Sequence, residues 1–127
     1  MSTDVPSLVA TDVDGTLIDD TERVSERTRA VVHAVVESGT PFLLATGRPP
    51  RWIAPVVEEL GFAPLAVCAN GAVIYDSATD RVLHSTLLAA EEMAWIADVV
   101  RVALPGAGIA AERVAVSAHD AASPMFV

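Results

Sequence analysis

Three short apolar runs, each broken by a polar turn that contains glycine, limit this chain to few architectures. Leu8-Val9-Ala10 runs into Asp12-Val13-Asp14-Gly15-Thr16-Leu17, Phe42–Ala45 into Thr46-Gly47-Arg48, and Leu65–Ala69 into Asn70-Gly71. Apolar runs of this length bounded by turn signals read as buried strands. Between the first two, Ser25 stands where an N-cap belongs, with Thr28 in the first turn. Ala30, Val31, Ala34 and Val35 then fall at helical spacing, and Gly39 closes the helix. Pro49-Pro50 bars a helix from starting at once after the second turn, and a shorter helix is predicted over Pro55–Leu60, before Gly61. Strand, helix, strand units of this kind pair their strands in parallel through right-handed crossovers. All three polar turns therefore belong at one edge of a sheet, which is where open α/β sheets bind ligands.

From Ala72 the pattern changes. Val73-Ile74-Tyr75 and Val82-Leu83-His84, separated by Asp76–Arg81, read as a hairpin. Ala90–Leu104 reads as a helix with Met93, Ile96, Val99, Val100 and Ala103 on one face, stopped by Pro105-Gly106. Val114-Ala115-Val116 is a further candidate strand, and His119–Val127 has no periodicity.

At 127 residues the chain has room for one domain, or a small domain with part of a second, and can bury roughly two thirds of its unfolded surface. With 52% hydrophobic and 20% charged residues it belongs to the globular class. A net charge of -9 argues against a nucleic-acid backbone or an anionic membrane as partner, since both attract basic patches. A small phosphorylated ligand is still allowed, because local dipoles and a bound cation recruit it. The single cysteine, Cys68, reads as a small buried hydrophobe. No apolar run approaches bilayer length, and Met1–Ala10 lacks a leader pattern, so the chain is expected in the cytoplasm.

The chemistry concentrates in the three turns. A carboxylate such as Asp12 can attack phosphorus directly and form an aspartyl-phosphate, splitting one difficult hydrolysis into two displacements. Magnesium held by oxygen ligands would offset the repulsion between that carboxylate and the phosphate. Asp14, two residues on, shares the same side of the strand end and can give a proton to the leaving oxygen, then take one from water. Thr46 offers a hydroxyl beside the backbone N–H of Gly47, Arg48 a cationic fork, and Asn70 a further polar group. Asn70-Gly71 equally suits an ordinary turn. His33, His84 and His119 show no metal spacing, Trp52 and Trp95 read as packed aromatics, and Arg51 as a surface charge.

In this order the three turns resemble the haloacid dehalogenase (HAD) superfamily of phosphohydrolases, most closely its Cof-type branch, in which a cap follows the third strand. Asp12-Val13-Asp14-Gly15-Thr16-Leu17 is similar to the first motif, Ala45-Thr46-Gly47-Arg48-Pro49 to the second, and Asn70–Asp76 to the passage from core to cap. The resemblance implies an α/β fold with a Rossmann-like, three-layer parallel-sheet core over residues 1–78, incomplete after three strands, and a partial α+β cap over residues 79–127. It implies a magnesium-dependent phosphatase acting on a small phosphorylated metabolite, with Asp12 as nucleophile and Asp14 as acid/base. Magnesium would be held by the Asp12 carboxylate and the Asp14 backbone carbonyl, and the phosphate or substrate by Thr46, Gly47, Arg48, Asn70 and Gly71. The third and fourth motifs, which carry a basic residue and the third acidic metal ligand, have no counterpart: the chain has no Lys and no Gly-Asp pair after residue 15. The chain therefore reads as the amino-terminal half of such an enzyme. A catalytically inactive binding module and a phosphomutase on the same fold stand as alternatives. The first strand, central in the family, is expected to become an open apolar edge along Leu8–Asp12, inviting self-association or a partner segment.

Overall fold

The computed structural model describes residues 5–120. Its elements are β1 (Val9–Thr11), α1 (Glu26–Glu37), β2 (Phe42–Ala45), α2 (Ala54–Leu60), β3 (Leu65–Cys68), β4 (Val73–Asp76), β5 (Arg81–Ser85) and α3 (Ala90–Ala103). Short 3-10 turns, Pro50–Trp52 and Ala69–Gly71, precede α2 and β4. The strands form one sheet in the order β1-β2-β3-β4-β5. The first three are parallel, and β4 and β5 add antiparallel. An α/β fold with consecutive crossovers is what two strand-helix-strand units dictate.

The start and end of α1 and the end of α2 fall where the sequence provides for them. Ser25 Oγ accepts the N–H of Thr28 (3.1 Å) at the start of α1, and Gly39, at φ 84°, turns the chain out of it. Gly61, also left-handed, closes α2 with its N–H on the carbonyl of Val57. The helices are clipped side by side: Arg29 Nε donates to the Glu59 carbonyl (2.6 Å), and the His33 ring nitrogen lies 2.7 Å from the Leu60 carbonyl. Val32 of α1, Val56 and Leu60 of α2, and Leu44, Ala66, Cys68, Val73 and Tyr75 of the strands form one buried cluster. Both core helices therefore cover the same face of the sheet. On the opposite face Leu65 and Ile74 stay 45% and 37% exposed.

Three expectations need correction. β1 reads as a buried strand, but its residues are half-buried or exposed, because its one neighbour among the described residues is β2. Val114–Val116 is not a strand; it lies along β5 through one backbone bond, from Val82 N–H to the Val116 carbonyl (2.9 Å). The apolar stripe of α3 is real, yet the helix has no buried residue. Trp95, expected to pack, is 68% exposed. Apart from these corrections, the expected boundary between residues 78 and 79 lies in the turn joining β4 to β5. The tail from residue 121 onward lies outside the described residues.

Candidate active site

The first acidic motif is a strand end wrapped around one carbonyl. Val13 O accepts the N–H groups of Thr16, Leu17 and Ile18 at 3.3, 3.0 and 3.0 Å, with Gly15 at φ 71° allowing the reversal. Val13, Leu17 and Ile18 are buried, while Asp12 and Asp14 are exposed. The residue between the two acids is thus an anchor in the core. Its burial leaves both carboxylates facing solvent at the strand's carboxyl end.

The other two turns meet this one. The β1/β2 register ends at Thr11 opposite Leu44, and the β2/β3 register at Ala45 opposite Val67. Asp12, Thr46 and the Ala69–Gly71 turn therefore leave the sheet at the same edge. Thr46 is buried; its N–H donates to the Val67 carbonyl (2.9 Å) and its carbonyl accepts the Asn70 N–H (3.2 Å). Its Oγ1 accepts the Arg48 N–H (3.1 Å), so the hydroxyl proton is still available for an anion. Ala69 N–H donates to the Arg48 carbonyl (2.9 Å). Ala69 and Asn70 are both left-handed, at φ 51° and 54°, a conformation that non-glycine residues adopt when the surroundings require it. Here the requirement is the pairing of their N–H groups with Thr46 and Arg48.

Arg48 binds the motifs together. Nε donates to Asp14 Oδ2 at 2.9 Å and Nη2 to Asp14 Oδ1 at 2.7 Å, a two-pronged pairing of the strong kind. The same Nη2 donates to Glu22 Oε1 at 2.8 Å, and Nη1 to the Trp52 carbonyl at 3.3 Å. The Arg48 side chain is 10% exposed. The fork expected to meet phosphate is therefore engaged with Asp14 and Glu22. Its hydrogen bonds hold the Asp14 carboxyl below the usual carboxylate range, and the two carboxylates raise the guanidinium's own pKa. A cleft of about 600 Å³ opens here, a size that suits a small ligand. Asp14, Glu22, Gly47 and Arg48 line it with Arg51, Trp52 and Pro55.

Sequence reasoning missed Glu22 and the cleft face of Trp52, which is 54% exposed rather than packed. The signal for Glu22 was Asp19 followed two residues later by Thr21, the pattern of a side-chain-closed turn. Cys68 is fully buried, and burial pushes its thiol up to about 11, which suits the inert hydrophobe the sequence suggests. No described group of three or more His, Cys, Asp or Glu side chains could hold a metal ion. Nor is any helix among the described residues long and apolar enough to cross a membrane.

Known proteins are similar to this chain in sequence and fold. YxeH of Bacillus subtilis is 30% identical over 95 residues, covering 72% of this chain and 35% of that protein. The 5-amino-6-(5-phospho-D-ribitylamino)uracil phosphatase YcsE of B. subtilis is 31% identical over 70 residues, covering 55% of this chain and 28% of that one. The structure of a haloacid dehalogenase-like hydrolase from B. subtilis superposes with a TM-score of 0.68 at 26% identity, over 77% of this chain and 34% of that one. The chain thus spans about a third of the length of the curated relatives it matches. The family description that fits residues 9–109 covers all three polar turns and the sheet that aligns them, so the chain belongs to the haloacid dehalogenase-like hydrolases.

Proposed function

We propose that this chain carries the nucleophile half of a magnesium-dependent phosphatase for a small phosphorylated metabolite. The observation that carries the reading is the pair of exposed carboxylates, Asp12 and Asp14, flanking buried Val13 at the same sheet edge as Thr46. Asp12 attacks phosphorus as the bond to the leaving oxygen breaks, and Asp14 supplies that oxygen with a proton. Water then attacks the aspartyl-phosphate, Asp14 takes its proton, and Asp12 is regenerated. Thr46 and the Gly47 N–H hold the transferred oxygens in place throughout.

Arg48 favours the charged form of Asp14, which suits proton acceptance in the second step. For the first step, the negative charge of an arriving phosphate ester opposes Arg48 and raises the proton affinity of Asp14. Asp12 and the Asp14 carbonyl supply hard oxygen donors, which magnesium takes one or two at a time alongside water and phosphate. Magnesium held there would neutralise charge on the transferred group. A relative that acts on a phosphorylated ribitylaminouracil supports a small metabolite as substrate.

The test is phosphate release from p-nitrophenyl phosphate by the native full-length protein, with and without magnesium. Release that needs magnesium and falls at least about a thousandfold in Asp12→Asn is expected; release indifferent to Asp12 would refute the reading. A second reading is favoured by the lack of a third metal-binding carboxylate among the described residues: residues 1–127 alone bind phosphate weakly without turnover. Turnover by that segment on its own would exclude it.

A further inference from the structure

Glu22 enters the cleft from a turn that the phosphoryl chemistry does not require. Asp19 Oδ1 closes this turn by accepting the N–H groups of Thr21 (2.8 Å) and Arg23 (3.1 Å) and the Thr21 hydroxyl (2.7 Å). Glu22 N–H donates to the Asp19 carbonyl (2.9 Å), and Glu22 itself is left-handed at φ 60°. A side-chain-bearing residue holds that conformation only where its surroundings impose it. The result is a carboxylate, 64% exposed, that lies 2.8 Å from Arg48 Nη2 on the wall of the cleft that contains Asp14.

The consequence lies in what the cations can still do. Of the five guanidinium donors of Arg48, Nε and one Nη2 hydrogen face Asp14, the other Nη2 hydrogen faces Glu22, and one Nη1 hydrogen faces the Trp52 carbonyl. Arg51 lies over the Trp52 ring at 4.9 Å and pairs with Glu112. Each arginine of the cleft is thus matched by a carboxylate. A second anion on a substrate would meet the Glu22 carboxylate instead of an uncommitted cation.

We propose that Glu22 determines specificity: it makes the cleft select phosphate esters whose leaving group carries no second negative charge, and reject those bearing a carboxylate or another phosphate. This rests on the phosphatase reading above. Glycerol 3-phosphate and 3-phosphoglycerate form a matched pair, alike in size and differing by one carboxylate. Both are titrated as inhibitors of p-nitrophenyl phosphate hydrolysis by the native full-length protein. Glycerol 3-phosphate, whose leaving group is uncharged, is expected to bind about tenfold more tightly than 3-phosphoglycerate, a ratio appropriate to one like-charge contact at a protein surface. Glu22→Gln is expected to bring the ratio to about two or less. Glu22→Asn provides the same test should Gln disturb the turn, because Asn tolerates the left-handed conformation. A wild-type ratio near one, a preference for phosphoglycerate, or a ratio unchanged in both variants overturns the proposal and leaves the phosphatase reading standing. A native protein that does not hydrolyse p-nitrophenyl phosphate overturns both.

Discussion

A Cβ placed on residue 47 would lie 3.1 Å from Oδ1 of Asn70, closer than real side chains sit without a neighbour giving way. Gly47 therefore lets the second and third turns approach each other, a role distinct from freeing an N–H for phosphate. Gly47→Ala is expected to displace the Asn70 amide and cost about 1 kcal/mol, read from urea unfolding. Asn70→Ala in the same chain removes the clash, so the two effects should fall short of additivity; strictly additive losses would contradict this contact. At this scale Asp12, Asp14 and Thr46 were legible, because strand-end position and spacing alone bring them to one edge. The partner of Arg48 was not. Sequence marks a guanidinium as an anion fork, but its choice of Asp14 and Glu22 follows from a left-handed residue in a stretch that reads as a polar connector.

Among the elements, α1 and α2 are tied together by Glu59 in addition to their shared apolar contacts. Glu59 Oε2 accepts the Val24 N–H (3.0 Å) and Arg29 Nη2 (3.3 Å), and Oε1 pairs with Arg23 at 3.0 Å. The Val24 bond first, and then the arginines, hold its carboxyl below the usual carboxylate range. A group depressed in the folded state stabilises fully above its unfolded pKa, near 4, and that contribution is lost as pH falls through the folded value. The urea midpoint should therefore drop on acidification from about pH 7 to 3, and Glu59→Gln should flatten the drop. An identical pH dependence in the variant would dissociate Glu59 from helix alignment. Helical periodicity announced α1 and α3 equally well. It could not say that α3 would bury none of its stripe, since a period defines a face and not what covers it.

For the molecule as a whole, the parallel pairing of the first three strands and the common edge of their turns follow from the strand-helix-strand units and were legible from the start, whereas the antiparallel addition of β4 and β5 to the same sheet was not. What the sequence could not distinguish was a strand buried on both faces from one buried on a single face, because short apolar runs look alike in either case. Among the described residues one face of the sheet carries the core, Leu65 and Ile74 on the other are part-exposed, and β1 has a single neighbour. The surface left uncovered coexists with a site that brings Asp12, Asp14 and Thr46, proposed above as nucleophile, proton-transfer group and phosphate contact, to one sheet edge. That site makes its sharpest claim at Asp12. The direct measurement is rapid acid quench of the native full-length protein during turnover of a radiolabelled phosphate ester with magnesium, followed by peptide mapping. Acid-stable, hydroxylamine-labile label is expected on the peptide containing Asp12 and absent in Asp12→Asn; turnover with no label there, or label on another residue, would contradict a nucleophilic Asp12.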